Sequence, residues 1–289
     1  MYFLLQEVFM EKPRLGHIHF LNVLPITYSL TQCGYGEGID IKGGVPSVMN
    51  NDLINNRLDA SEVSSIVYAR NFDKLLILPD LCVRADGPVR SIILVSKKPI
   101  TEINQDRIVL TAQSATSHVL LKIILNKSYD ATPEYCVRHL TPDNPVPDDC
   151  TAALLIGDDA LNVYHHKNKD KFYYYDMGVE WKKLTGRCMV YAVWAVHKDF
   201  AQNNPEALQL LHERLYKGLR HGYAHKADAI NSILDSKPFT FQQLDEYLEV
   251  IKWNLTEEYL DNLMIFYKYA YEMGLIPRMP KLKLAEVEL

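Results

Sequence analysis

Short apolar runs alternate with stretches of helical periodicity along the first two thirds of the chain. The apolar runs are rich in Val, Ile and Leu, as strands covered on both faces tend to be. The predicted strands are Ile18–Phe20, Leu75–Leu78, Ile92–Val95, Ile108–Leu110, Ala152–Ile156 and Val190–Val196, and the predicted helices are Pro25–Thr31, Val48–Asn55, Ser117–Leu125 and Asp158–His165. This alternation predicts an α/β fold with a largely parallel sheet.

The last third of the chain has a different pattern. Leucines between positions 208 and 219 recur at three- and four-residue steps, and apolar residues between 244 and 251 do the same. Thr256 is an expected helix N-cap, and Gly274 and Pro277 are expected to end the helix that follows it. We therefore predict a helical C-terminal tail that packs on the sheet. The proline-containing segment 131–149 is predicted to be a surface connection.

The composition is that of a folded protein. A length of 289 residues corresponds to about two domains of roughly 150 residues each. Hydrophobic residues make up 48% and charged residues 23%, which excludes a disordered or collagen-like chain. The net charge of -5 disfavours a general nucleic-acid binder, and it means that an anionic ligand must be held by a local site.

The cysteines and the apolar runs indicate a cytoplasmic location. The five cysteines are widely spaced and form no CxxC, so neither a zinc ribbon nor a thioredoxin-like motif is predicted, and reduced thiols fit best. No apolar run approaches the ~20 residues needed to cross a bilayer. Residues 1–14 lack the basic segment and the cleavage site of a secretion signal. We predict no membrane partner and no nucleic-acid partner.

Asn22 is the first candidate site residue. It follows a predicted strand and precedes the helix that Pro25 begins, and open α/β sheets bind ligands at the C-terminal ends of their strands. The alternative is that Asn22 only caps the helix, which Asn does well. His17 and His19 share a face of the predicted strand, but two histidines without a third partner do not predict a metal site.

A second candidate lies in the segment 113–118, where Ser114, Thr116 and Ser117 precede an apolar helix. Hydroxyl groups and unpaired backbone N–H groups at a helix start can hold a carboxylate or a phosphate without any Lys or Arg. The alternative is a cap rich in Ser and Thr that binds no ligand.

A third candidate is the pair Gly157 and Asp158, which follows the predicted strand Ala152–Ile156. Asp158 either faces the same crevice as Asn22 or only caps its own helix. The glycines at 34, 36 and 38 lack the GxGxxG spacing, and no Walker lysine, GxSxG or HExxH occurs. We therefore predict neither a nucleotide cofactor nor a metal.

Seven short motifs follow one another along the chain, and their order and spacing are informative when taken together. They are Asn22–Pro25, Ser64–Ala69, Gly87–Ser96, Ser114–Ser117, Leu155–Leu161, Asp176–Gly186 and Tyr191–Ala195. With these motifs the chain resembles the chorismate dehydratase family of the futalosine route to menaquinone. At 19–22 it reads His-Phe-Leu-Asn, where the sister dihydroxynaphthoate synthases have Ser-Pro-Cys-Pro-Asn-Asp, which favours the dehydratase.

The resemblance implies a two-lobed, type II periplasmic-binding-protein-like fold with the ligand in the cleft between the lobes. One lobe would comprise residues 1–98 plus 198–289, and the other residues 99–197. The implied reaction is dehydration of chorismate to 3-[(1-carboxyvinyl)oxy]benzoate, without cofactor or metal, by a monomer or homodimer. The alternative from another class is a non-catalytic binding protein for a small carboxylate.

Roles follow from the same resemblance. Asn22 and Ser91 would be catalytic, with Asn22 orienting the ring or stabilising the charge that develops as a proton leaves. The proton would go either to Asp158, the only acid in these motifs near the cleft, or to a carboxylate of the substrate. The substrate-binding candidates are Ser64, Ser65, Ser114, Thr116, Ser117, Gly157 and Asp158.

Three positions depart from the family pattern. Ala60–Val63 reads Ala-Ser-Glu-Val in place of a more apolar strand, and Arg90 is not typical of its motif. After Gly186 the chain reads Arg-Cys-Met-Val-Tyr-Ala, where the family has Leu-Pro-Phe-Val-Phe-Ala. Arg187 either adds a charge to the cleft or faces solvent.

Overall fold

The computed structural model describes residues 11–112 and 114–288, in which the strands form two five-stranded sheets. The prediction about a secretion signal at residues 1–14 falls largely on residues outside this range, and Gln113 of the second candidate segment lies outside it as well. The first sheet contains β1 (Arg14–His17), β2 (Asp40–Gly43), β3 (Ala60–Ser64), β4 (Leu75–Ala85) and β10 (Met189–His197), in the order β2-β1-β3-β10-β4.

The second sheet repeats this arrangement. It contains β5 (Ile92–Ser96), β6 (Arg107–Thr111), β7 (Glu134–Arg138), β8 (Ala152–Ile156) and β9 (Tyr173–Asp176), in the order β7-β6-β8-β5-β9. In each sheet one strand, β10 or β5, runs antiparallel to its neighbours. The predicted parallel sheet is therefore two mixed sheets, and the antiparallel strand in each is the one that arrives from the other sheet.

Eleven α-helices belong to the described residues. They are α1 (Leu24–Gln32), α2 (Pro46–Ile54), α3 (Ser65–Asn71), α4 (Thr116–Tyr129), α5 (Gly157–His165), α6 (Met177–Thr185), α7 (Lys198–Asn203), α8 (Pro205–Ala224), α9 (Lys226–Asn231), α10 (Phe241–Val250) and α11 (Glu257–Glu272). Short 3₁₀ turns occur at Leu21–Val23, Ile100–Glu102 and Leu234–Ser236. No helix in the described ranges is both long and apolar enough to cross a membrane.

The chain passes between the sheets twice, from Ala85 to Ile92 and from Asp176 to Met189. The sheets therefore divide the chain at other points than the predicted boundaries after residues 98 and 197. The reason is hydrogen bonding: β5 pairs with β8 and β9, whereas β10 pairs with β3 and β4.

The predicted helical tail packs on the first sheet. Isolated bridges join Ile77 to Leu284 and Arg84 to Lys252, so the tail also extends the hydrogen bonding of β4. Gly222 of α8 lies against Pro25 of α1 so closely that a Cβ atom at position 222 would overlap the Pro25 carbonyl oxygen. This close packing fixes the start of α1, and with it the turn that carries Asn22.

One hydrophobic core runs through the first sheet and into the space between the sheets, and a smaller core lies on the other face of the second sheet. The larger core includes Trp181, Trp194 and Phe266, which are fully buried. Aromatic side chains of this size bury about 150–250 Å² each, so they contribute a large share of the apolar burial that stabilises the fold.

Candidate active site

The cleft between the sheets contains a small, open cavity of about 100 Å³. The first sheet and the tail line the cavity with Ile18, Phe20, Asn22, Pro46, Glu62, Val63, Ser64, Val83, Tyr191, Ala192 and Tyr247, and the second sheet and its helices line it with Ser91, Ile92, Ser114, Thr116, Ser117, Ile156 and Gly157. Among these lining residues there is no Lys or Arg, so an anion here would be bound by neutral donors.

Asn22 lines the cavity and does not cap α1. The N-cap position of α1 is Val23, which makes no side-chain cap, and Pro25 stands in the first turn as predicted. Asn22 sits in the 3₁₀ turn Leu21–Val23, where its Oδ1 atom is buried and has no hydrogen-bond partner in the described part of the chain. A buried, unpartnered amide costs free energy unless a ligand satisfies it, so the capping alternative is wrong for Asn22.

Ser91 also lines the cavity, and the fold holds it from two sides. The Tyr247 hydroxyl of α10 donates to Ser91 Oγ at 2.9 Å, and Ser91 Oγ donates to the Val89 carbonyl at 3.3 Å. Tyr247 was predicted only as an apolar position of the tail. The structure shows that the tail supplies a polar group to the cavity.

The loop before Ser91 is fixed by Asp176, which ends β9. The Asp176 carboxylate accepts hydrogen bonds from the backbone N–H groups of Val89 and Arg90, and from those of Gly178 and Val179 at the start of α6. Arg90 has a φ of 62°, in the left-handed region that is unfavourable for a side chain other than glycine. The four N–H donors on Asp176 hold this conformation and so position Ser91.

The start of α4 brings the predicted hydroxyl groups to the cavity. Ser114 Oγ accepts from the Ser117 backbone N–H at 3.2 Å and donates to Ser117 Oγ at 2.9 Å. Because Ser117 Oγ accepts this bond, its own proton can be donated to an oxygen in the cavity. Thr116 Oγ1 instead accepts from the Ile66 N–H of α3 at 3.1 Å, so it connects the two sides of the cleft.

Ser64 and Ser65 are adjacent but differently placed. Ser64 lines the cavity at the end of β3. Ser65 is fully buried, and its hydroxyl lies 3.3 Å from Thr116 Oγ1. Ser65 is therefore a contact between α3 and α4, and its assignment as a substrate-binding residue is not supported by the cavity geometry.

Gly157 and Asp158 are also adjacent in the chain but differently placed. Gly157 lines the cavity, and its φ of 63° is a left-handed conformation that favours glycine over residues with a side chain. Asp158 does not line the cavity. Its carboxylate accepts from the Leu21 N–H at 3.2 Å and from Lys237 Nζ at 2.7 Å, which makes it an ionic contact between the two sides of the cleft.

Glu62 and Tyr191 are cavity residues that the sequence motifs did not assign to the site. Glu62 is 6% exposed, and its Oε2 atom has no hydrogen-bond partner in the described ranges. Burial raises the pKa of Glu62 to about 8. The Tyr191 hydroxyl is likewise buried without a partner there, and burial raises its pKa. Both positions are more polar than the family pattern, and this difference is the feature of the sequence that could have identified them as cavity residues.

The two atypical arginines lie outside the cavity. The Arg90 guanidinium pairs with Glu246 at 3.4 Å and lies near the Tyr164 ring. Arg187 is exposed in the turn before β10 and makes no contact with the cavity lining described above. Of the two alternatives for Arg187, the structure supports the one in which it faces solvent.

A family described as menaquinone biosynthesis matches residues 13–272. The chain belongs to this family. It is 32% identical to a chorismate dehydratase of Thermus thermophilus over 219 residues, which is 71% of this chain and 77% of that protein. It is 33% identical to a chorismate dehydratase of Campylobacter jejuni over 181 residues, 61% of this chain and 64% of that protein.

Solved structures show the same fold. A protein of Archaeoglobus fulgidus superposes with a TM-score of 0.76 at 16% identity, covering 93% of this chain and all of that one. A Candida albicans protein described as having the generic periplasmic binding protein fold gives a TM-score of 0.67 at 12% identity, over 96% of this chain and 98% of that one. The aliphatic sulphonate binding protein of Escherichia coli gives 0.64 at 13% identity, over 96% and 95%. The predicted two-lobed α/β fold is confirmed.

Proposed function

We propose that the protein dehydrates chorismate to 3-[(1-carboxyvinyl)oxy]benzoate, as a step of menaquinone biosynthesis in the cytoplasm. One observation carries this proposal: a single cavity unites Asn22, Ser91 and the hydroxyl groups at the start of α4, in a chain that belongs to the menaquinone-biosynthesis family. The similarity to two chorismate dehydratases supports the choice of substrate.

The reaction requires the protein mainly to position the substrate. Loss of the ring hydroxyl and of the hydrogen on the neighbouring carbon makes the chorismate ring aromatic, which supplies the driving force. The protein must hold a substrate with two carboxylates and stabilise charge that develops during elimination. A preorganised cavity with buried polar groups suits both tasks.

One carboxylate binds at the start of α4. The helix dipole and the first-turn N–H groups favour an anion there, and the Ser117 hydroxyl can donate to it. Ser64 lies on the facing wall at the end of β3. Ser64 can donate to the second carboxylate, and so can Ser91 when its hydroxyl turns from the Val89 carbonyl to the ligand. Neutral donors of this kind contribute about 1.5–3 kcal/mol per hydrogen bond to a charged group.

Asn22 acts on the ring. Its amide lies at the cavity wall with its oxygen unpartnered among the described residues. In the proposed complex the Nδ2 group of this amide donates a hydrogen bond to the substrate at the position where negative charge develops. Donors of this kind stabilise a transition state more than a ground state, and removal of one typically lowers kcat about 10²–10³-fold.

Closure of the two lobes completes the site. We take the lobes to follow the two sheets, so that Thr116 to Ile66, Asp158 to Leu21 and Asp158 to Lys237 are contacts between lobes. These contacts are formed when the cleft is closed. Closure excludes water and strengthens the hydrogen bonds of the neutral donors inside.

The test is an assay of the purified protein with chorismate, in which absorbance and mass spectrometry detect the loss of one water. We expect product from the wild type, and a fall in kcat of about 10²–10³-fold for Asn22→Ala. The exposed Asn231 provides the matched control, Asn231→Ala, which should retain wild-type kcat. Binding of chorismate without turnover would instead support a binding protein, and full activity of Asn22→Ala would contradict the role of Asn22.

A further inference from the structure

Glu62 is a carboxyl group in the cavity, and it forms no ion pair with any of the described residues. It lies in β3, between β1 and β10, and it lines the wall opposite the start of α4. It is 6% exposed, and its Oε2 atom has no partner in the described part of the chain. An ionised carboxylate in such a position is costly because burial removes most of its hydration and Oε2 accepts from no donor among the described residues. The neutral, protonated form is therefore favoured.

The groups around Glu62 do not reverse this preference. Tyr247 of α10 and Tyr191 of β10 line the same cavity, and burial raises the pKa of both phenols. His17 of β1 is buried, and its pKa is lowered to about 4. All three are neutral near pH 8, and α2 faces the cavity only through Pro46. A bound dicarboxylate would favour the protonated form of Glu62 further.

We propose that Glu62, in its protonated form, gives its proton to the ring hydroxyl that leaves during dehydration. The inference rests on the proposed function, and it adds to the family's site a residue where the resembled pattern is more apolar. The protonated carboxyl also fits an anionic substrate, since a carboxylate at this position would repel it. Glu62 is thus a catalytic residue of this chain.

The step balances without any co-reactant. The carbon–oxygen bond breaks, its electron pair stays on oxygen, and the Glu62 proton completes a water molecule. The neighbouring carbon–hydrogen bond breaks, and its electron pair becomes the new ring double bond. In chorismate the ether and hydroxyl groups are trans, so the departing hydrogen and hydroxyl lie on one face of the ring. The second oxygen of Glu62 takes up that hydrogen as a proton, which restores the carboxyl group.

The role predicts a pH dependence with a definite sign. Burial raises the pKa of Glu62 to about 8, and only the protonated form can donate. The kcat of the wild type should therefore be constant below this pKa and fall as the pH rises above it.

The experiment compares the kcat–pH profiles of the wild type, Glu62→Gln and Glu180→Gln with chorismate between pH 5.5 and 9.5. We expect kcat of Glu62→Gln to fall at least about 10²-fold, with little change in KM and no alkaline limb. Glu180 is a matched control, since it is also buried but lies on α6 outside the cavity. Glu180→Gln should keep the wild-type profile. Infrared spectroscopy should show a carboxylic acid band at pH 6 that Glu62→Gln lacks.

The outcomes separate the two proposals. Product from the wild type with an unchanged profile and kcat in Glu62→Gln would overturn the role of Glu62 alone. No product from the wild type would overturn the proposed function and this inference together. Should Glu62→Gln fail to fold, Glu62→Leu takes its place with the same expected loss of kcat, because Leu fits an apolar wall without a buried amide.

Discussion

Two buried carboxyl groups, on α6 and on β3, differ in their hydrogen-bond partners. Glu180 of α6 is 4% exposed, and its oxygens accept from the Tyr129 hydroxyl at 2.6 Å and from Lys183 Nζ at 2.8 Å. Glu62 of β3 is 6% exposed, and its Oε2 atom is unpartnered among the described residues. Burial is nearly the same, but the polar surroundings are not.

The difference separates structural acids from cavity acids. Asp176, like Glu180, is surrounded by donors, in this case four backbone N–H groups. Buried carboxylates in folded proteins are normally paired in this way, since an unpaired charge is destabilising. Glu62 lacks such partners at the place where a ligand would bind. Its unpaired carboxyl is therefore better explained by function than by stability.

Among the substitutions that test this comparison, Asp176→Ala should lower the free energy of unfolding most. The substitution leaves four backbone N–H groups without their acceptor, and each buried orphan donor costs about 1–3 kcal/mol. With partial relaxation we expect the free energy of unfolding to fall by about 3–5 kcal/mol, as measured by urea denaturation. The control is Asp86→Ala, which removes an exposed pair with Lys182 and should cost less than about 1 kcal/mol. Equal losses in the two variants would contradict the role of Asp176.

Ionisation of Glu62 should make the free energy of unfolding depend on pH, with a smaller effect than that of Asp176→Ala. For Glu62 the folded-state pKa of about 8 lies above the value of 4.5 that is usual for a Glu side chain in an unfolded chain. Its contribution to stability is therefore fully present below pH 4.5 and is lost as the pH rises through 8. Between pH 6 and pH 9 the wild type should lose about 2–3 kcal/mol more than Glu62→Gln, compared by urea denaturation at both pH values. Parallel losses would show that Glu62 is ionised at pH 6.

The smallest effect concerns Asp158, an acid in the cleft that does have partners. Its pair with Lys237 is partly exposed, so Asp158→Asn should change the free energy of unfolding by no more than about 1 kcal/mol. Because the pair joins the lobes, KM for chorismate should rise several-fold while kcat changes little. Lys237→Ala should have the same effect, and the double variant should add nothing further. Independent effects of the two substitutions would exclude a shared contact.

Strands were predictable where both faces are covered. Ala152–Ile156 agrees with β8 residue for residue, and β5, β6 and β10 differ from their predictions by one or two residues at the ends. The edge strands β2 and β7 were missed, the second of them inside the predicted loop 131–149, because edge strands are partly exposed and have no continuous apolar run. Strand β9 is also an edge strand, and its Tyr173 is exposed.

Other elements were hidden by function or by local ambiguity. Strand β3 reads Ala-Ser-Glu-Val-Ser, and its polar residues conceal a central strand because some of them face the cavity. Strand β1 ends at His17, so the predicted strand Ile18–Phe20 is in fact the segment that leads to the turn of Asn22. In this segment Ile18 is buried, Phe20 is half-buried and His19 is exposed.

The sequence by itself determined the fold class, the helical tail, the resemblance to a family, and seven of the eighteen residues that line the cavity, among them Asn22, Ser91 and Ser117. These follow from local periodicity and from motifs that short segments carry. Only the tertiary structure decided that Ser65 and Asp158 join the two sides of the cleft, that Tyr247 of the tail supports Ser91, and that Oε2 of the buried Glu62 has no hydrogen-bond partner in the described part of the chain. Burial and hydrogen-bond partners depend on residues distant in the chain, so no local pattern contains them.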